Sequence, residues 1–307
     1  GPHPTYFPEV AKDKKWHLDA YCAGDGDQAF PTFLARVESG EGFSDIPNLM
    51  TRDQPERTKD IFTELDTLPF IDRSLFYDYD PNMLHVGLRS FVTGRGCPYK
   101  CTYCYNPSYN NMYVKGSGVK LMRRRSVDNL LDEIEHVIEN YPPVRFLRFA
   151  DDVFLIRSDD PWVLEFAEKY PRRIGLPFYC LIKPNNMTEE IARILRKAGC
   201  VSVSMSIDAG TDFMRNHIFK RNLSDEQVIN AFKLTKKYGI KTESSTILGL
   251  PGTTLEDDFT SVVFAKIVRP DAPNFPILCP YPGTHIENYA RKIGVLEGAF
   301  DYRRTYR

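Results

Sequence analysis

The chain has 307 residues, enough for one large domain or two ordinary ones around a sizeable core. Lys and Arg number 40 against 41 for Asp and Glu, so no net field draws the protein to nucleic acid or to an acidic membrane surface. No apolar run reaches the roughly 18 residues that a membrane span needs, and Gly1-Pro2-His3-Pro4 is not the basic-then-apolar opening of a signal peptide; a cytoplasmic protein is expected.

The first residue is not Met and the last residues, Phe300 to Arg307, are basic and aromatic without a helix stop, which suggests a piece of a longer protein. Residues 1–48 form a unit of their own. Leu18 to Cys22 is predicted as a strand, Asp25 to Asp27 as a turn and Ala29 to Val37 as a helix, the last piece of another α/β domain. Residues 49–87, in a stretch rich in Pro, Asp and Thr from Ser44 to Pro81, are predicted as a surface linker.

From residue 88 to 293, strands and amphipathic helices alternate, the pattern of a parallel sheet with crossover helices. The strands are expected at Leu88 to Thr93, Val144 to Ala150, Leu176 to Ile182, Val201 to Ile207, Lys241 to Leu248 and Asn274 to Cys279. The first helix should start after Ser126 and present Val127, Leu130, Leu131, Ile134, Val137 and Ile138 on one face. Others are expected at Pro161 to Tyr170, Thr188 to Ala198, Ser224 to Tyr238, Thr254 to Val268 and Thr284 to Ile293, with Gly199 and Gly239 as stops. Six such units are too few for a closed eight-stranded barrel. They fit an α/β fold with a partial, three-quarter barrel, and a doubly wound open sheet is the competing architecture. In both, ligand sites gather at the carboxyl ends of the strands. Residues 294–307 would begin a C-terminal extension.

Seven cysteines lack the density of a secreted disulfide scaffold. Cys22, Cys180, Cys200 and Cys279 stand alone beside apolar residues and read as small buried hydrophobes. The other three form Cys97-Pro98-Tyr99-Lys100-Cys101-Thr102-Tyr103-Cys104, a CxxxCxxC run directly after the first strand. Three thiolates at this spacing can hold three corners of a cubane cluster and leave one iron open for a ligand. A closed zinc site would require a second CxxC or paired histidines, and none of the six histidines is so placed. A structural zinc site and a four-cysteine ferredoxin site are the alternatives.

On these residues the chain, from about Arg89 to Arg291, resembles the radical S-adenosylmethionine (SAM) superfamily. The resemblance implies a 4Fe-4S cluster on Cys97, Cys101 and Cys104 whose open iron chelates SAM, and reductive cleavage of SAM to a 5′-deoxyadenosyl radical. It places Tyr103 at the aromatic position near the adenine. Asp151 and Asp152 stand where the SAM ammonium is received. Ser206 and Asp208, at the end of the fourth strand, stand near the ribose or methionyl group, and Arg221 is a candidate partner for the SAM carboxylate. Ile247, Gly249 and Pro251 lie in a loop similar to the one that packs on the adenine.

Gly1 to Glu9, Gly24-Asp25-Gly26-Asp27 and Tyr281-Pro282-Gly283-Thr284 resemble the branch of the superfamily that carries a cobalamin-binding domain, and the resemblance implies that residues 1–48 are the C-terminal part of that Rossmann-like α/β domain. That branch implies cobalamin in the full-length enzyme and methylation of an unactivated carbon. A cyclase or rearrangement enzyme acting on a tetrapyrrole or natural product is the alternative, and a non-catalytic iron-sulfur electron carrier is the reading from another class. A small-molecule substrate and a reductant such as flavodoxin or ferredoxin are the expected partners, without nucleic acid or membrane.

Overall fold

The computed structural model describes residues 2–7, 17–51 and 58–298. Gly1, Pro8 and Glu9 of the N-terminal stretch and Phe300 to Arg307 of the expected extension lie outside the described residues. Six parallel strands stand side by side in chain order: β1 (Leu88–Phe91), β2 (Phe146–Phe149), β3 (Phe178–Leu181), β4 (Cys200–Ser204), β5 (Lys241–Ser245) and β6 (Ala272–Asn274). A doubly wound sheet reverses its strand order at a switch point. This one never does, so the sheet is a partial barrel.

Helices α1 (Val127–Asn140), α2 (Pro161–Arg173), α3 (Glu189–Ala198), α4 (Asp225–Lys237), α5 (Leu255–Val268) and α6 (His285–Lys292) each follow the strand of the same number. Their starts are chemically marked. Ser126, Thr188 and Thr284 each accept a first-turn backbone N–H, and Ser224 with Gln227 and Thr254 with Asp257 form reciprocal capping boxes. Gly199 ends α3 at φ 102°, a left-handed conformation open to glycine without a Cβ clash.

Strand alternation then sorts the side chains. Phe91, Leu147, Phe149, Phe178, Cys180 and Val203 join Leu130, Leu131 and Ile134 of α1 and Ile191 and Leu195 of α3 in one core. Ser90, Arg148, Tyr179, Ser204 and Glu243 are exposed or half-buried instead, and the Tyr179 hydroxyl donates to Glu243 at 2.9 Å. The face turned away from the helices thus carries these polar groups alongside Leu88, Phe146 and Leu181.

Three expectations change. The sixth strand begins at Ala272, and of the predicted stretch to Cys279 only an isolated bridge between Leu248 and Ile277 continues the pairing; Pro273 and Pro276 cannot donate to a ladder. The supposed surface linker is anchored. Leu49–Thr51 pairs antiparallel with Ala20–Cys22, and Ile46, Leu49, Met50, Phe62 and Leu65 are buried. Farther on, the guanidinium of Arg73, also buried, donates to the Ser90 carbonyl at 2.9 Å and stands 4.7 Å over the Phe91 ring. Finally, Cys180 and Cys200 are fully buried, whereas Cys22 and Cys279 are only half-buried.

Candidate active site

The CxxxCxxC run leaves the carboxyl end of β1 and is pinned at several points. Gly96 leads into it at φ 97°, and a Cβ there would lie 1.9 Å from the Leu121 carbonyl oxygen, so only glycine can precede Cys97. Asn110 Nδ2 donates to the Cys97 carbonyl at 2.9 Å. The Thr102 N–H donates to the Phe219 carbonyl at 3.1 Å and its hydroxyl to the Ile218 carbonyl at 2.8 Å, while the Ile286 N–H at the start of α6 donates to the Thr102 carbonyl at 3.0 Å. The loop is thus clamped to the segments after β4 and β6.

Cys97 and Cys101 are buried and Cys104 is half-buried. Burial raises the Cys97 thiol to about 11 and pushes the Cys104 thiol up. Such thiols stay protonated at neutral pH until a metal displaces the proton. Among the described residues no three His, Cys, Asp or Glu side chains already converge as a metal site. The donor chemistry nevertheless fits a cluster. Two sulfurs carry hydrogen bonds, from Arg221 Nη1 to Cys101 Sγ at 3.0 Å and from the Asn106 N–H to Cys104 Sγ at 3.5 Å, the kind of contact that stabilises thiolate charge and tunes iron-sulfur centres.

Around Cys101 lies a buried charge network. Asp208, at the carboxyl end of β4 with φ 65°, accepts a hydrogen bond from the Tyr103 hydroxyl at 2.8 Å and pairs with the Arg221 Nε. Asp208 and Arg221 are 1% and 7% exposed. Burial pulls the guanidinium pKa down, but Asp208, Tyr103 and Cys101 together outweigh it and the net shift is upward. The backbone N–H of Ile247 donates to the Asp208 carbonyl at 2.8 Å, and Tyr103 and Ile247 share an apolar cluster with Phe219, Leu250 and Leu278. Four of the expected residues, Cys101, Tyr103, Asp208 and Arg221, therefore form one bonded unit, with Ile247 against it.

The others are placed differently. Asp151 Oδ1 accepts from the Thr93 N–H, the Thr93 hydroxyl and the Gly94 N–H at 2.8 to 2.9 Å, which ties β2 to the loop after β1. Burial, opposed by those bonds, raises its carboxyl to about 6. Its neighbour Asp152 is exposed and helps line a cavity of about 290 Å³ shared with Tyr6, Asp25, Arg95 and Tyr105. Ser206 is half-buried beyond β4. Gly249 is exposed, its N–H donating to Asp258 at 3.0 Å, and Pro251 is buried.

The N-terminal unit closes on the same loop. Asp25 accepts from Arg123 Nη1 at 2.5 Å, from the Phe62 N–H at 3.1 Å and from the Tyr109 hydroxyl at 3.1 Å, and Arg95 holds Asp27 with two hydrogen bonds of 2.6 and 2.8 Å. Tyr6 donates to the Tyr105 carbonyl at 2.8 Å. Asp25 and Asp27, expected in a turn, make that turn the strap between the N-terminal unit and the cysteine loop.

Sequence reasoning missed two residues. Lys183, after β3, is 7% exposed, donates to the Arg221 carbonyl and stands 4.2 Å from the centre of the Tyr99 ring. Burial, then the nearby Arg221 charge, lowers its ammonium to about 8. Tyr99, within the cysteine run, donates to Asn186 at 2.8 Å. A lysine at the carboxyl end of a barrel strand was the available signal.

The profile of the Radical SAM superfamily matches residues 91–261. An uncharacterized methyltransferase of Pyrococcus horikoshii is 26% identical over 298 residues, covering 94% of this chain and 62% of that protein. An anaerobic magnesium-protoporphyrin IX monomethyl ester cyclase of Rubrivivax gelatinosus is 25% identical over 319 residues, covering 99% of this chain and 54% of that one. The chain thus spans little more than half the length of the curated relatives it matches. Among solved structures, the radical SAM methyltransferase TsrM of Kitasatospora setae with cobalamin and a 4Fe-4S cluster bound superposes with a TM-score of 0.71 at 18% identity, over 92% of this chain and 55% of that one. The cobalamin-dependent SAM radical enzyme OxsB, with aqua-cobalamin and SAM bound, gives a TM-score of 0.68 at 16% identity over 95% and 41%. At these identities the likeness is one of fold. The profile match covers more than half of the chain and takes in the cysteine loop and β2 to β5: the chain belongs to the radical SAM superfamily.

Proposed function

We propose that this chain is the SAM-cleaving core of a cobalamin-dependent enzyme that methylates an unactivated carbon of a small molecule. The observation that carries the SAM-cleaving part is the three-cysteine loop at the carboxyl end of β1, clamped on both sides and bonded through Cys101 to Arg221. The chemistry that a bound cluster and SAM supply is one-electron cleavage of the sulfur to C5′ bond, giving a 5′-deoxyadenosyl radical.

In this reading Cys97, Cys101 and Cys104 hold three irons and leave one open. Asp208 fixes Arg221 for an anionic group, and Tyr103 with Ile247 offers an apolar wall beside it. Asp152, exposed in the cavity that reaches the loop, is free to meet an ammonium, whereas Asp151 is held by Thr93 and Gly94. The open sheet face, with the polar groups of Ser90, Arg148, Tyr179 and Glu243, would receive the substrate, which favours a molecule with hydrogen-bonding groups over a bare hydrocarbon.

Methyl transfer is supported by the methyltransferase relative and by the strap that brings the N-terminal unit onto the cysteine loop. A flavodoxin- or ferredoxin-type carrier would supply the electron. The test is to reconstitute the full-length enzyme anaerobically with iron, sulfide, SAM and hydroxocobalamin and to weigh the product. A gain of one methyl group supports the reading. A product with a new ring and no added methyl would replace it with the cyclase function of the Rubrivivax gelatinosus relative.

A further inference from the structure

Lys183 stands just past β3 with Pro184 fixing its backbone, and like Arg221 it is 7% exposed. A buried ammonium needs compensation by a carboxylate or by good acceptors. Among the described residues no carboxylate forms an ion pair with it; it has the Arg221 carbonyl oxygen and the face of Tyr99, 4.2 Å away. The pocket behind the cysteine loop therefore buries two cations, Lys183 and Arg221, against one buried carboxylate, Asp208. Both contacts of Lys183 lead to the loop. Tyr99 lies between Cys97 and Cys101, and the residue whose carbonyl it holds places its guanidinium on Cys101 Sγ. The excess positive charge matches what three thiolates would bring to the same place.

We propose that Lys183 is a positioning residue of this centre: it holds Arg221 against Cys101 and supplies a positive charge that favours the reduced state of the cluster. The inference rests on the SAM-cleaving function proposed above. Reduction adds one negative charge near the thiolates, and a fixed cation in a low-dielectric pocket stabilises that state more than the oxidised one. The Lys183 charge stays available for this, because the nearby Asp208 carboxylate is already paired with Arg221 and no carboxylate among the described residues forms an ion pair with Lys183.

The experiment compares the parent with Lys183→Met, Lys183→Gln and Lys183→Arg in the full-length, anaerobically reconstituted enzyme. Iron content is measured first, then the ratio of reduced to oxidised cluster by electron paramagnetic resonance at the parent's midpoint potential. The methionine and glutamine variants should retain the parent's iron and show a reduced-to-oxidised ratio on the order of tenfold lower. The arginine variant should restore the ratio to within about twofold. Glutamine keeps a donor near the Arg221 carbonyl without the charge, so it decides the matter even if methionine disturbs the loop. Parent-like ratios in the glutamine variant at full iron content would overturn the proposal. A parent enzyme that takes up no iron would overturn the proposed function, and this inference with it.

Discussion

At the scale of single residues, the proposed site assigns two adjacent carboxylates different roles, one structural and one in SAM binding. Asp151 satisfies three donors at the end of β1, so Asp151→Ala leaves the Thr93 and Gly94 groups without their buried acceptor. The expected cost is about 2 to 3 kcal/mol of stability in urea denaturation, with SAM affinity changed little in the protein that remains folded. Asp152→Ala should do the reverse, leaving stability within about 0.5 kcal/mol and weakening SAM roughly tenfold by equilibrium binding. Equal loss of SAM binding in both variants would show that the assignment of the pair is wrong. Gly96→Ala should prevent cluster assembly even though Gly96 binds nothing, because its Cβ would enter the Leu121 carbonyl; normal iron uptake by that variant would contradict the described loop path. The cysteine loop was legible in the sequence because its three thiols lie within eight consecutive residues at a recognisable spacing. Lys183 was not, since one lysine after a strand looks like any solvated lysine until Tyr99 and Arg221, far apart in the chain, close over it.

At the scale of elements, the parts specified by neighbours in sequence were legible. All six helix starts follow the capping logic of Ser, Thr or Asp, and the strands of the core fell within two or three residues of their expected limits. The segment from 58 to 87 was not legible. It is held by scattered anchors such as Phe62, Leu65 and Arg73, each meeting a distant partner rather than repeating at a period. The strap is a case of the same kind. Asp25→Ala removes the carboxylate facing the buried Arg123, an unpaired charge worth about 3 to 5 kcal/mol. Asp27→Ala should cost only about 1 kcal/mol, because its partner Arg95 remains partly in water. Denaturant midpoints of the two variants check the order, and a larger effect for Asp27 would reverse this account of the strap.

At the scale of the whole molecule, the fold supplies a complete row of strand ends from β1 to β6 but a much smaller N-terminal unit. A Rossmann-like domain holds a corrin across several parallel strands, whereas the described N-terminal residues contribute one antiparallel pair, Ala20–Cys22 with Leu49–Thr51, and the helices Pro2–Tyr6 and Ala29–Ser39. Residues 1–307 alone should therefore bind hydroxocobalamin poorly while retaining the SAM site, and titration followed by corrin absorbance would test this. Tight binding by these residues would mean that the N-terminal unit holds more of the corrin surface than its strands indicate. The central claim is tested most directly by release of 5′-deoxyadenosine from SAM, measured with residues 1–307 reconstituted anaerobically and reduced with dithionite. The account predicts release by the parent and by Cys22→Ala, and none by Cys97→Ala, Cys101→Ala or Cys104→Ala. Undiminished release from the Cys101→Ala protein would contradict it.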